Sequence, residues 1–285
     1  MGQKIQQDKK IALVLSGGGM KCAYTAGVLT GFMQAYPRFM PDIIIAESGA
    51  AGSATYFAAG QERHGLQTWL SLGNNKKFFS FWRRPMMDVD YLVDTIFKAK
   101  HPFDLSALQK STIDIVFPVL NVRSGMTEYI SPKPPRDTYA AVRAAKAIPV
   151  LYGKSVRIDG NEYVDGGLGS FVSDHVLEAE RRGATHIIVV RVDDGPRSWK
   201  GKLLRLVTKW WRYTKQLGLA RASEREFTSV HPVTAHNKTD IITLVPTRPL
   251  PLSLVTTGRL AIRTAINQGY DDLVKHPEIE TLLRS

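Results

Sequence analysis

The stretch that most restricts the fold is residues 43–60, which read IIIAESGAAGSATYFAAG. Three consecutive isoleucines favour a short buried strand, small residues follow, and apolar side chains then recur at helical spacing. Strand, tight turn and helix are the layout of a nucleophile elbow, whose serine exposes its Oγ at the end of a sheet. Ser48 directly follows the strand and is preferred to Ser53, which would lie over the turn into the helix. Because Ala46 and Ala50 replace the glycines of the usual G-x-S-x-G pattern, an incidental serine in a small-residue turn is the alternative.

A second turn of the same kind follows the apolar run 11–15, where the sequence reads SGGGMK before a helical pattern. Free N–H groups at a strand-to-helix turn form an anion site. A dinucleotide fingerprint would need a glycine where Cys22 stands, and the P-loop pattern is missing. An oxyanion hole needs only N–H groups near the nucleophile, and Gly17, Gly18 and Gly19 are the candidate donors. A short βαβ connection would bring this turn beside Ser48.

The rest of the chain continues the alternation of strands and helices. The pattern predicts strands over 113–120, 156–160, 162–167, 186–192 and 241–246, and helices over 90–98, 138–146, 176–184 and 255–268. This order favours an α/β fold with a mostly parallel sheet sandwiched by helices. Asp165 ends a predicted strand and precedes two glycines, which puts a carboxylate at a tight turn; an ordinary Asp-Gly turn is the alternative.

Composition narrows the class of protein. With 285 residues, 44% hydrophobic and 22% charged, the chain is typical of a globular protein, and we expect a polar tail over 1–9 and one domain over 10–285. Cys22 is the sole cysteine, which excludes internal disulfides and cysteine-based metal sites and fits the cytoplasm. No apolar run approaches the roughly 20 residues of a transmembrane helix. We expect neither a metal nor a cofactor.

The charge predicts an anionic partner. Lysine and arginine number 38 against 26 acidic residues, a net charge of +12, which favours phospholipid or nucleic acid unless it serves solubility alone. Residues 198–221 would form a helix with one apolar and one cationic half, typical of a membrane interface, although that apolar face could instead pack on the domain. No nucleic-acid recognition motif accompanies it, so we expect an anionic membrane. Residues 74–85 also interleave aromatics with cations. The expected membrane-binding residues are Lys202, Arg205, Lys209, Trp210, Trp211 and Arg212.

Together, the three turns resemble the patatin-like phospholipases over residues 10–173. The glycine-rich turn 17–21 is similar to the family's oxyanion motif, and residues 46–51 occupy the place of its serine elbow. Residues 147–149 and 163–167 are similar to the segment that carries its catalytic aspartate. The three motifs stand in the family's order, each on the expected element, which makes the resemblance specific.

This resemblance implies a lipid acyl hydrolase of the phospholipase A or lysophospholipase type, acting at a membrane surface. Ser48 would be the nucleophile and Asp165 its base, without a histidine, so His175 is expected to be a surface residue. Lys21, Gly49, Gly166 and Gly167 would support the site. The departures from the family pattern, at residues 22, 46 and 50, leave a weak or inactive lipid-binding protein on the same fold as the alternative.

Overall fold

The computed structural model describes residues 9–192, 239–256 and 258–284. Within these ranges an eight-stranded sheet has the order β5-β6-β3-β2-β1-β7-β8, with β4 also paired to β3. The strands are β1 (Ile11–Leu15), β2 (Ile43–Ala46), β3 (Asp114–Asn121), β4 (Thr127–Ile130), β5 (Val156–Ile158), β6 (Asn161–Asp165), β7 (His186–Val190) and β8 (Asp240–Leu244). The helices are α1 (Ala23–Ala35), α2 (Ala50–Ala58), α3 (Glu62–Leu72), α4 (Tyr91–Lys100, a π-helix), α5 (Leu105–Lys110), α6 (Thr138–Ala144), α7 (Pro149–Tyr152), α8 (Val172–Arg181), α9 (Arg259–Val274) and α10 (Pro277–Arg284).

The predicted mostly parallel sheet between helices is confirmed. Strands β3, β2, β1, β7 and β8 run parallel, while β4, β5 and β6 pair antiparallel. Alternate residues of the central strands enter two separate apolar clusters, with Leu13 and Ile44 on one face and Val14 and Ile45 on the other. Because both faces are buried, these strands are continuously apolar rather than alternating, which is why the sequence reveals them.

Several predicted helix bounds were wrong, and local hydrogen bonds explain the differences. Helix α8 begins at residue 172 rather than 176 because the Asp174 carboxylate accepts the Phe171 N–H at 2.7 Å. Helix α9 begins at residue 259 rather than 255 because the Ser253 N–H donates to the Thr256 hydroxyl at 3.1 Å and holds that segment in a turn. The helix predicted to end at 146 ends at Ala144, and α7 follows from Pro149.

Strand β3 extends beyond the parallel sheet and carries the antiparallel strands. Its residues 114–116 pair with β2, whereas residues 117–121 continue past the end of β2 and pair with β4 and β6. Strand β6 runs back along this extension, with Asp165 opposite Val119. This geometry returns the end of β6 to the edge at which β1 and β2 end, although β6 is not a neighbour of either strand.

Candidate active site

Ser48 lies in the turn between β2 and α2 with the backbone of a nucleophile elbow. Its φ of 50° is unusual for a residue with a side chain and indicates local strain. The two alanines that replace the elbow glycines, Ala46 and Ala50, are completely buried. A Cβ at Gly49 would lie 2.5 Å from the Gly19 carbonyl oxygen and 2.8 Å from the Cys22 Sγ. Close backbone approach therefore requires a glycine at position 49, while 46 and 50 hold alanine.

The structure brings Ser48 and Asp165 into direct contact. The Ser48 Oγ donates a hydrogen bond of 2.6 Å to Asp165 Oδ2, and Asp165 Oδ1 accepts the Gly167 N–H at 2.9 Å. Asp165 is only 2% exposed. A Cβ at Gly166 would collide with the Pro118 carbonyl group of β3, so this turn packs directly against the strand. A carboxylate that accepts the serine proton directly has the geometry of a general base.

Ser53, the alternative nucleophile, and His175, the alternative base, have different surroundings. Ser53 lies within α2, where its Oγ accepts a hydrogen bond of 2.9 Å from the Trp69 indole. The predicted surface position of His175 was wrong, because helix α8 turns this side chain toward the sheet and buries it completely. Its Nδ1 is hydrogen-bonded to the Tyr129 hydroxyl at 2.9 Å, and its Nε2 lies 3.7 Å from Glu47 Oε2.

The glycine-rich turn after β1 lies beside the elbow, as the short connection predicted. Gly19 has a φ of 57°, and a side chain there would strike the backbone of Leu254. The Gly17 N–H already donates to Glu47 Oε2 at 2.8 Å, which removes it from the three predicted oxyanion donors. Among the described residues, the N–H groups of Gly18 and Gly19 have no hydrogen-bond acceptor. The Lys21 N–H closes the turn onto the Gly18 carbonyl at 3.2 Å.

The electrostatics of the site centre on Asp165. Burial raises its pKa to about 7, the hydrogen bond from Ser48 opposes the rise, and the negative charge of Glu47 adds to it. The Gly167 N–H and the positive charge of Lys146 also lower this pKa. A carboxyl group whose pKa lies near neutrality can both accept and return a proton at physiological pH.

Sequence reasoning missed Lys146, whose side chain binds the backbone of the Ser48 turn. Its buried Nζ donates hydrogen bonds to the Ser48 carbonyl at 2.9 Å and the Gly49 carbonyl at 3.2 Å. Burial lowers the pKa of Lys146 to about 8, and the negative charge of Asp165 opposes this shift. The available signal was a lysine inside an otherwise apolar stretch, two residues before Ile148-Pro149.

Glu47 was also missed. It is 9% exposed, and its carboxylate contacts the glycine-rich turn through Gly17 while facing the Asp-Gly-Gly turn, where a Cβ at Gly167 would strike Oε1. A single acidic residue directly before the candidate nucleophile was its only sequence signal.

An apolar pocket begins at Ser48. Its walls include Tyr56, Trp69, Leu72, Phe78, Phe97 and Leu254, and Lys146 is the one charged side chain among the described residues that line it. The polar atoms of the wall bind one another, since the Thr68 hydroxyl donates to the Tyr56 hydroxyl at 3.0 Å. The chemical character of this pocket suits a hydrocarbon chain whose polar end lies at Ser48.

Within the described ranges, His, Cys, Asp and Glu side chains form no group of three that could hold a metal ion. The helices of these ranges include none with the length and apolar character needed to cross a bilayer.

The chain is similar to proteins already described. A similar protein is the uncharacterized protein YjjU of Escherichia coli K12, 28% identical over 222 residues, which are 72% of this chain and 58% of YjjU. The chain thus spans less than two thirds of that relative. Among solved structures, VipD of Legionella pneumophila superimposes with a TM-score of 0.48 and 14% identity, covering 98% of this chain and 67% of VipD.

Comparison with models of protein families identifies the family of this chain. The sequence model of the patatin-like phospholipases matches residues 13–173, which include the glycine-rich turn, the Ser48 elbow and the Asp-Gly-Gly turn. Because the match covers more than half of the residues, the chain belongs to the patatin-like phospholipase family.

Proposed function

We propose that this chain is a serine carboxylic-ester hydrolase that cleaves acyl esters of lipids, of the phospholipase A or lysophospholipase type. The observation that carries the proposal is the 2.6 Å hydrogen bond between Ser48 and the buried Asp165 at the end of an apolar pocket. Family membership supports lipid hydrolysis at the level of the family. The proposal adds the dyad, the oxyanion donors and the site of lipid contact.

In the proposed reaction, Asp165 accepts the proton of Ser48 as the Oγ attacks the ester carbonyl carbon. The N–H groups of Gly18 and Gly19 would bind the developing oxyanion, and one such donor typically contributes about 3–4 kcal/mol. Collapse of the tetrahedral intermediate releases the alcohol, which takes the proton from Asp165. Water then attacks the acyl-enzyme with Asp165 again as base, and the fatty acid leaves as Ser48 regains its proton.

A non-catalytic lipid-binding protein on the same fold is the second candidate, and the alanines at positions 46 and 50 favour it. Against it stands the direct hydrogen bond from the strained Ser48 to Asp165, because binding a lipid does not need a serine paired with a base. The two candidates differ in their reaction with a fluorophosphonate probe. We expect mass spectrometry to find the probe on Ser48; modification of Ser53, or no modification, contradicts the proposed dyad.

The acid limb of the pH profile tests the charge of Glu47. Because its negative charge raises the pKa of Asp165, replacing Glu47 by glutamine should lower that pKa and move the acid limb of kcat to lower pH. The amide oxygen of glutamine can still accept the Gly17 N–H, so the turn should keep its position. Glu162→Gln, a change at a carboxylate that is not part of the site, serves as control. An unmoved limb in Glu47→Gln contradicts this prediction.

We propose a cytoplasmic protein that associates peripherally with anionic membranes. Its predicted membrane helix, residues 198–221, lies outside the described residues and stays a prediction. Reversing the charges of Arg205, Lys209 and Arg212 should weaken sedimentation with phosphatidylglycerol vesicles, because each cation near such a surface contributes about 1 kcal/mol. Raising the salt concentration should release the unmodified chain in the same way, through screening. Sedimentation that the triple change leaves intact contradicts this assignment.

A further inference from the structure

The loop of residues 76–84, KKFFSFWRR, joins the pocket wall to the surface, and we name it the docking loop. Its inner part is anchored: Phe78 and Phe79 are buried and line the pocket, and Phe79 forms an antiparallel bridge with Met87. The Ser80 N–H donates to the Met86 carbonyl at 2.8 Å and the Asp88 N–H to the Phe78 carbonyl at 2.8 Å. These bonds hold the tip away from the core.

The tip exposes large aromatic side chains. Trp82 is 96% exposed and Phe81 is 65% exposed, two neighbours that a domain would normally bury. The rings of Phe79 and Phe81 meet edge to face with centroids 4.9 Å apart. Apolar surface therefore continues from the exposed tip, through Phe79, into the pocket that begins at Ser48.

The sequence on both sides of these aromatics is basic over a long stretch. Residues 63–87 contain no aspartate or glutamate, whereas Lys76, Lys77 and Arg84 are exposed. Arg83 lies 3.6 Å from Asp88, which partly neutralises it. Exposed aromatics among cations complement a surface with apolar depth beneath anionic groups, which is the interface of an anionic bilayer.

We propose that the docking loop inserts Phe81 and Trp82 into the interface of an anionic lipid surface and so sets the mouth of the pocket against the substrate. This inference rests on the proposed lipid hydrolysis. Nucleic acid also attracts aromatics and cations, but continuity with an apolar pocket that ends at a serine favours lipid. The proposal stands on described residues alone.

A dye at the tip tests insertion directly. Cys22 is completely buried, so the Trp82→Cys variant offers one accessible thiol for an environment-sensitive dye. With phosphatidylglycerol vesicles its emission should shift to the blue and intensify, and salt should reverse the change. Met40→Cys is the matched control, because Met40 is 59% exposed in the loop before β2, at the opposite edge of the sheet, and its dye should stay in water.

The rates provide the second readout. In the double variant Phe81→Ser/Trp82→Ser, the ratio of vesicle hydrolysis to hydrolysis of a soluble short-chain ester should fall, by about tenfold for each aromatic that no longer leaves water. Equal loss on both substrates overturns the proposal, as does a dye that stays unshifted with vesicles. A shift with single-stranded RNA in place of vesicles also overturns it. The dye requires no turnover, so a chain without esterase activity would refute the proposed function and leave this test intact.

Discussion

Replacing Ser48 by alanine is expected to abolish hydrolysis of a p-nitrophenyl acyl ester, with kcat falling on the order of 10⁴-fold or more. The loss follows because the Oγ that donates to Asp165 is the atom proposed to form the acyl-enzyme. The fold should survive, since alanine is smaller and the carbonyl group that binds Lys146 belongs to the backbone. Initial rates with purified protein, beside a thermal unfolding curve, measure both effects.

Ser53→Ala is the matched control for this experiment. It removes a serine of the same helix-turn region, one that also lines the pocket and accepts the Trp69 indole N–H. We expect an altered KM from the loosened wall and a kcat of the same order as that of the unmodified chain. Full activity in Ser48→Ala would refute the nucleophile, and activity lost in Ser53→Ala alone would move the assignment there.

Asp165→Asn should lower kcat by on the order of 10²-fold or more, the scale of losing a general base. Asparagine has nearly the same shape and can still accept the Gly167 N–H, but its amide takes no proton from Ser48. His175→Gln should leave a kcat of the same order, because the contacts of that ring are with Tyr129 and Glu47 and not with Ser48 or Asp165. An Asp165→Asn variant with the activity of the unmodified chain would exclude this residue as the base.

Asp165→Asn should also reveal the free-energy cost of burying a charged carboxylate. The pKa of Asp165 is raised to about 7 in the folded protein and is about 3.9 when unfolded, so ionisation lowers stability as pH rises between those values. Asparagine does not ionise, so the Asp165→Asn variant does not lose stability in this way. Its Tm relative to the unmodified chain should therefore increase from about pH 4 to about pH 7 and level off above. A Tm difference independent of pH would contradict the raised pKa.

The sequence reveals those parts of the site that follow from local patterns. Continuous apolar runs identify β1 and β2 because parallel strands are buried on both faces, and the short connection makes their turns neighbours. Ser48 follows from the position of its strand. Asp165 depended on the family resemblance, because an Asp-Gly turn by itself is common and its contact with Ser48 requires the return of β6 along β3.

The residues that sequence reasoning missed or misplaced acquire their roles through tertiary packing. Lysine is mostly exposed in proteins and histidine is intermediate, so residue type alone does not indicate that Lys146 and His175 are buried. Lys146 is stabilised there by the carbonyl groups of a turn 97 residues away in sequence. The residue pattern of a single segment cannot predict such a long-range contact. In the same way, the contact between Glu47 and Gly17 depends on the pairing of β1 with β2.

The extension of β3 beyond the end of β2 affects the order in which the site forms as the chain folds. The unit β1-α1-β2 is contiguous, so the strained elbow and the glycine-rich turn can assemble from nearby residues. The bond between Ser48 and Asp165 closes a loop of 117 residues and needs β3 and β6 to be paired already. Contacts of such separation form slowly, because loop closure costs entropy before it is repaid. On refolding from denaturant, helical circular dichroism should therefore return ahead of the proposed esterase activity, whose recovery would mark the last steps of folding.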